Sequence, residues 1–388
     1  MRIIIEKMLL LIYNIFMNKK HFFIKKNRKH KKFYKKLSHK KHTIKKFRYE
    51  LKKKRKSGFA TGSIYKKSIH KKKDKLEINI PKILSFDENL YETLVFFNKI
   101  REISDNKKRL FINMQYLTYI TPEAALVLVS ELDRLCTLHK TKIGVYDFNK
   151  WNNEIKNIFN DIGMYDFLNI KLSRKEKRYI IPSNNSNIIY LKFKSGTSGN
   201  EARKLQIVNE MESLINENSI SGKKTLKVGI TEAILNTHHH AYPNDFIGNS
   251  IYKLKKWWLL GYININDNNI KIIIYDQGKT IPKTLDLKKY FILNKNDAEK
   301  ILTAVETSES STKLENRGKG LKSIKKYAKK SDDGELVIIS GKGYYKYTKN
   351  NDTIESKLLA DNLQGTLISW NGCIKSEIDI DETLYEEE

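Results

Sequence analysis

Between Val228 and Tyr242 the chain reads VGITEAILNTHHHAY. On a helix Glu232, Asn236 and His240 fall at i, i+4 and i+8, so one face carries all three side chains. A carboxylate and a carboxamide one turn apart suit two linked tasks: polarising a water, and supplying an oxygen to a hard cation such as Mg2+. Val228, Ile230, Ala233, Ile234 and Leu235 supply apolar contacts that would fix such a helix against a sheet. Taken alone, the pair is also what a solvated helix face looks like. Its weight comes from three stretches further along the chain.

Ile270, Ile272, Ile273 and Ile274 lead into YDQGKTIP, Tyr275 to Pro282. A strand ending in Asp-x-Gly places a carboxylate where a turn lets a ligand approach bare backbone. SSTKLENRGKGL, Ser310 to Leu321, sets Gly318 and Gly320 ahead of the helical pattern Leu321, Ile324, Tyr327. A glycine-rich loop opening a helix offers backbone N–H groups and a positive dipole end to phosphate. LQGTLISW, Leu363 to Trp370, is a turn glycine and a threonine leading into a strand. Each stretch alone is ordinary loop punctuation; the ordered set of four is not.

The set resembles the GHKL superfamily, the ATP-binding fold of DNA gyrase B, the heat-shock chaperones, histidine kinases and MutL. The resemblance runs from about Asn187 to Gly372, about half the chain. It implies that Glu232 activates the attacking water or hydroxyl and that Asn236 coordinates Mg2+. It implies that Asp276 accepts a hydrogen bond from the adenine amino group, with Gly278 making room for the ring. Gly318, Lys319 and Gly320 would belong to the lid over the phosphates. Gly365 and Thr366 would form the last box, Thr366 holding the adenine through a water. His240 to Tyr242, H-A-Y, looks most like the anti-sigma-factor and kinase branches. ATP and Mg2+ are therefore the expected cofactors. The sequence departs from the pattern at Thr280, which stands where D-x-G-x-G has its second glycine. A β-branched residue there restricts the backbone and would crowd the nucleotide. No distant catalytic lysine of the gyrase type is recognisable.

Charge is unevenly spread over the 388 residues. Residues 1–75 hold 28 Lys and Arg against three acids, and the formal net charge of the whole chain is +30. The remainder is thus near neutral, and residues 1–75 read as a lysine-rich disordered tail. Lysine blocks with interleaved Phe22, Phe23, Phe33, Tyr34, Phe47 and Tyr49 would attract RNA or DNA non-specifically through residues 18–75. Within MRIIIEKMLLLIYNIFM, Glu6 and Lys7 leave an apolar run too short for a transmembrane segment. A membrane-surface helix, a poor signal-like sequence, and a start at Met17 are the competing readings of these 17 residues. Cys136 and Cys373 lack metal-site spacing and fit a reducing, cytoplasmic setting. His238, His239 and His240 are consecutive, so on a helix they point in three directions and do not read as a metal site.

Residues 76–178 alternate strands with helices, an α/β pattern. EINIPKILSF reads as a strand with a turn, Asn89 to Ile100 as a helix, Arg109 to Ile120 as a strand, and KIGVYDF as another. TPEAALVLVSELDRLCTLH reads as a helix with Thr121 as N-cap and Pro122 at its first position, and NEIKNIFNDIGMYDFL as one more helix. This part resembles a STAS domain, the fold of anti-sigma-factor antagonists. Its Thr121-Pro122-Glu123-Ala124 turn lacks the family's phosphoacceptor serine, which implies a docking module for a protein partner.

The resemblance implies that residues 186–375 form a GHKL (Bergerat) part, an α+β sandwich with helices on one face of its sheet. Ile188 to Gly196 opens it as an edge strand, and Glu201 to Asn216 reads as an amphipathic helix. WWLLGYININDNNIKIIIYDQG reads as two strands around a hairpin turn, with Trp257 and Trp258 on alternate faces. ELVIISG and LQGTLISW complete the sheet, and residues 376–388 form an acidic tail. The chain is expected to be an ATP-dependent, slowly hydrolysing switch acting on a protein partner. A serine/threonine kinase of anti-sigma-factor type, or a nucleotide-sensing nucleic-acid binder, are the alternatives, and a homodimer is one assembly they allow.

Overall fold

The computed structural model describes residues 69–72, 75–102, 109–181, 187–197, 206, 209–210, 213, 223–237, 241–242, 254–267, 269–285, 295–306, 320–331 and 333–373. The expectations for residues 1–68 and for the acidic end lie outside these. Of the expected 201–216 helix only 206, 209, 210 and 213 are described, all helical. Lys67–Glu388 forms one compact unit of mixed helix and sheet.

The first layer is a four-stranded sheet in the order β1-β2-β4-β6. Its strands are β1 (Ile69–Lys72), β2 (Lys75–Asn79), β4 (Arg109–Asn113) and β6 (Ile143–Val145). β2, β4 and β6 run parallel, with α1 (Leu90–Arg101) and α2 (Pro122–His139) as the crossovers. β3 (Ile83–Leu84) and β5 (Tyr119–Ile120) form a separate two-stranded pair. The strand and turn expected over 77–86 are two short strands either side of Pro81, and the single strand expected over 109–120 is two, broken at the Gln115–Tyr116 turn. The sheet also reaches back into the lysine-rich segment, where β1 pairs antiparallel with β2 and Ile69 lies opposite Ile78.

Thr121 caps α2 as expected, accepting from the Ala124 N–H at 3.4 Å, with Pro122 in the first turn. The helix expected over 153–168 is two, α3 (Asn153–Asp161) and α4 (Met164–Phe167), interrupted by Gly163. A further single turn, α5 (Arg174–Lys177), is opened by a Ser173/Glu176 capping box.

The second sheet is five-stranded and antiparallel throughout, in the order β10-β11-β9-β8-β7. β7 (Ile188–Thr197) is its edge, with β8 (Lys256–Asn264) and β9 (Asn269–Asp276) next inward. β10 (Glu335–Thr348) and β11 (Thr353–Cys373) form a long hairpin, so ELVIISG and LQGTLISW are parts of far longer strands. On one face lie α6 (Lys223–Asn236), α8 (Asp297–Glu306) and α9 (Gly320–Lys330), with the single turn α7 (Ile281–Thr284) beside them. Ile230, Ile234, Trp257, Ile272, Ile324 and Trp370 belong to the core on that side.

The other face is covered too, which corrects the expectation of a one-sided sheet. Trp258, Leu260, Ile273, Tyr275 and Leu367 share a single apolar cluster with α1, α2 and the first sheet. The physical reason is in the sequence: Ile272, Ile273, Ile274 and Tyr275 are apolar without alternation, the pattern of a strand buried on both faces. Trp257 and Trp258 fall on opposite faces, as their spacing predicts.

Candidate functional site

β9 alternates strictly. Ile270, Ile272 and Ile274 face the α6/α9 side, while Ile273 and Tyr275 face α1 and α2. Asp276 therefore lands on the same face as α6 and α9. β11 alternates in the same sense, with Ile368 and Trp370 on that side, which carries Thr366 there as well. Register pairs Thr366 with Asp276 and with Ser340 of β10, so the three polar side chains form one row across three strands.

The row is buried and closely bonded. Asp276 Oδ1 accepts from the Gly278 N–H at 2.8 Å, and the carboxyl also takes the Thr366 N–H. Thr366 and Ser340 hydroxyls lie 2.8 Å apart, and Ser340 Oγ accepts from the Ile281 N–H at 2.8 Å. Burial pushes the Asp276 carboxyl up to about 7 against the opposing pull of those two N–H groups. Near neutral pH it is thus poised between an acceptor and a neutral acid.

The glycines allow this closeness. Gly365 has φ +86°, and a Cβ there would lie 1.9 Å from the Asp276 carbonyl oxygen. Only a residue without a side chain permits β11 to press on the end of β9 in this way. At Gly278 a Cβ would meet the Ala241 carbonyl oxygen at 2.3 Å. The Ala241 carbonyl also accepts from the Lys279 N–H at 2.7 Å, and the Tyr242 hydroxyl accepts from the Gln277 N–H at 3.1 Å. Tyr242 in turn donates to the Lys256 carbonyl at 2.6 Å. The Ala-Tyr end of the H-A-Y triplet thus staples the segment after α6 onto the Asp-x-Gly turn. Gly278→Ala should lower stability by about 1–3 kcal/mol through overpacking at this staple, read from denaturant melts.

Of the sequence-predicted residues, Asp276, Gly278, Gly365 and Thr366 come together. Asn236 ends α6, which packs on β9 and α9, and its Nδ2 is buried without a hydrogen-bond partner among the described residues. Gly320 is the buried first residue of α9, as a loop opening a helix requires. Glu232 lies on α6 with its side chain outside the described residues, and His240, Gly318 and Lys319 lie outside them altogether.

Thr280 does not strain the turn. Its backbone is extended, φ −75° and ψ 153°, a conformation β-branched residues favour, and it stands as N-cap of α7. Its hydroxyl and both amide atoms of Gln277 are buried and unpartnered among the described residues. Buried polar atoms left this way mark a place for water or a ligand. Sequence reasoning passed over Gln277 and Ser340; the serine before Gly341 at the end of an apolar strand was the available signal for the latter.

Among the described residues no group of three or more His, Cys, Asp or Glu could hold a metal, and no helix is long and apolar enough to cross a membrane. No protein-family model matches the chain, and no curated protein matches it significantly.

Proposed function

We propose that the chain is a Mg-ATP-binding protein of GHKL type, an ATP-dependent switch on a protein partner. The observation that carries the reading is the row of Asp276, at the end of β9, with Thr366 and Ser340 across the two neighbouring strands, flanked by Gly278 and Gly365. A buried carboxyl beside bare backbone suits an exocyclic amine on a flat ring. The orphaned atoms of Gln277, Thr280 and Asn236 are polar groups such a ligand or its waters would satisfy. Mg2+ fits a site with one protein ligand, Asn236, because the ion is commonly held mostly by phosphate oxygens and water.

When bound, Mg-ATP supplies the transferable phosphoryl group and most of the metal's ligands. The chain's own part is to orient the base through Asp276 and Thr366, with Glu232 activating the attacking water in a slow turnover. The partner contact falls to the STAS-like part. Its α1 and α2 each pack on the second sheet, which leaves Tyr91, near the start of α1, with Tyr116 and Tyr119, all exposed, as aromatic contacts.

Calorimetric titration of ATP with Mg2+, and then phosphate release, test the reading. ATP should bind, and Glu232→Ala should bind it equally while phosphate release falls by about 100-fold or more. Absence of ATP binding in the unaltered protein would sink the nucleotide reading. Transfer of labelled phosphate to another protein would turn it into the kinase reading.

A further inference from the structure

Tyr275 occupies the reverse side of the strand that carries Asp276, and its surroundings are not those of an ordinary core tyrosine. The hydroxyl accepts from Arg101 Nη2 of α1 at 2.7 Å and donates to the Gln364 carbonyl at 2.8 Å, with Glu131 Oε1 of α2 at 3.3 Å. Arg101 is held by Glu131 through Nε at 2.7 Å, and Glu131 takes a second bond from Arg134 Nε at 2.9 Å. Tyr275, Glu131 and Arg134 are buried, Glu131 completely, and Arg101 is largely covered.

The chain of contacts ends at the candidate site. Gln364 immediately precedes Gly365, whose backbone presses on the Asp276 carbonyl, and Gly365 precedes Thr366, whose N–H bonds the Asp276 carboxyl. The Tyr275 hydroxyl thus ties the entrance of the Gly365 kink to two helices of the other layer. Without that bond the Gln364 carbonyl loses its tie to the two helices, and the position of the kink rests on its remaining contacts, among them Ser340 Oγ with the Gly365 carbonyl at 3.3 Å and the Thr366 N–H with Asp276. A shift of a few tenths of an ångström matters here, because two N–H groups converge on one carboxyl.

We infer that Tyr275, fixed by Arg101 and Glu131, is a positioning residue for base selectivity: it sets the Asp276 and Thr366 pair so that the site prefers adenine to guanine nucleotides. This rests on the nucleotide reading proposed for the same site. Adenine presents an amino donor where guanine presents a carbonyl acceptor, so a fixed carboxylate favours the first and repels the second. A loosened pair discriminates less. Because α1 and α2 belong to the STAS-like layer, that layer is part of what makes the nucleotide site selective.

The test is calorimetric titration of the full chain with Mg-ATP and Mg-GTP, for the unaltered protein and for Tyr275→Phe. Phe keeps the ring and its packing and removes only the hydroxyl. ATP affinity should fall about tenfold with little change for GTP, so the ATP-to-GTP ratio should fall about tenfold. A purely structural role would weaken both alike and leave the ratio unmoved. ATP binding with an unchanged ratio in folded Tyr275→Phe would overturn this inference and leave the nucleotide reading standing. No ATP binding by the unaltered protein would overturn both. Should Tyr275→Phe fail to fold, Arg101→Lys decides: it keeps the charge on Glu131 but cannot fork to Tyr275 as well, and its ratio should fall in the same direction. An unchanged ratio there counts equally against the inference.

Discussion

Asp276→Asn should weaken ATP binding by about two orders of magnitude or more and yet make the ligand-free protein more stable above neutral pH. The first effect comes from replacing a charged acceptor with an amide that turns an N–H toward the adenine amino group. The second comes from linkage. The folded carboxyl is pushed up to about 7 by burial, whereas in the unfolded chain it titrates in the ordinary carboxylate range. Between those two pH values the unfolded chain holds fewer protons than the folded one. Stability therefore falls as pH rises through the window and levels off above it, a loss of up to about 4 kcal/mol. Asparagine cannot ionise, so the variant is spared that loss. Its amide still accepts from the Gly278 N–H, but it sets an N–H against Thr366 at a cost of about 1–3 kcal/mol. Denaturant melts should cross: the variant weaker than wild type at about pH 4, stronger at about pH 8. Because the base amine favours the ionised acid, ATP binding by the unaltered protein should release a proton below neutrality, and affinity should rise with pH up to about 7. Equal ATP affinity in Asp276→Asn would show that this carboxyl does not read the base.

How much of this was legible beforehand depends on whether the information was local. The meeting of Asp276, Gly278, Gly365 and Thr366 was expected only through the resemblance of the ordered boxes to the GHKL pattern, because each box by itself writes a turn and says nothing of which strands become neighbours. The backbone at Thr280 could not be read, since a missing glycine in a motif does not say which φ the position needs; φ −75° answers it. The packing of the two layers was expressed in the sequence but misread. Ala124 to Val129 is apolar at every position, which no one-sided amphipathic helix requires, and α2 is in fact buried on all sides there. The network of Glu131 could not be read locally, because it joins Arg101, thirty residues earlier, and Tyr275, far later. The same holds for Glu123, in the turn whose missing phosphoacceptor serine implied a docking module. It is buried against Lys271 at 2.6 Å and Ser369 at 2.8 Å, contacts that only the tertiary fold creates. The extensions of β10 and β11 were missed because Lys346, Glu355 and Lys357 interrupt the apolar pattern, though a paired hairpin tolerates charges on its open face.

Glu131→Ala should be the most damaging change in the interface between the layers, costing about 3–5 kcal/mol in equilibrium denaturation. Glu131 lies between Arg101 and Arg134, and Asp133 cannot replace it because that carboxylate already serves Lys256 and the Trp258 indole N–H, at 2.9 and 2.8 Å. Truncation would leave two guanidinium groups buried together with no counter-charge. Burial works against the ionised Glu131 carboxyl, but the two guanidiniums outweigh it and hold the group below the usual carboxylate range. Its contribution is therefore present above the ordinary carboxylate pKa and disappears only as pH falls through the lowered one, so the penalty should shrink in acid. The cost reflects stranded charge rather than the worth of the triad. Arg101→Met, Glu131→Leu and Arg134→Met combined should regain most of the stability, since well-packed apolar replacements of buried triads are often neutral or favourable. That triple variant separates the two roles of the network. It restores the packing of α1 and α2 on the sheet but leaves the Tyr275 hydroxyl without its Arg101 donor. A melt close to wild type together with a reduced preference for ATP over GTP is the expected pair of results. Recovery of both would mean that packing alone places Asp276, and that the charges serve only to make the two layers choose one register.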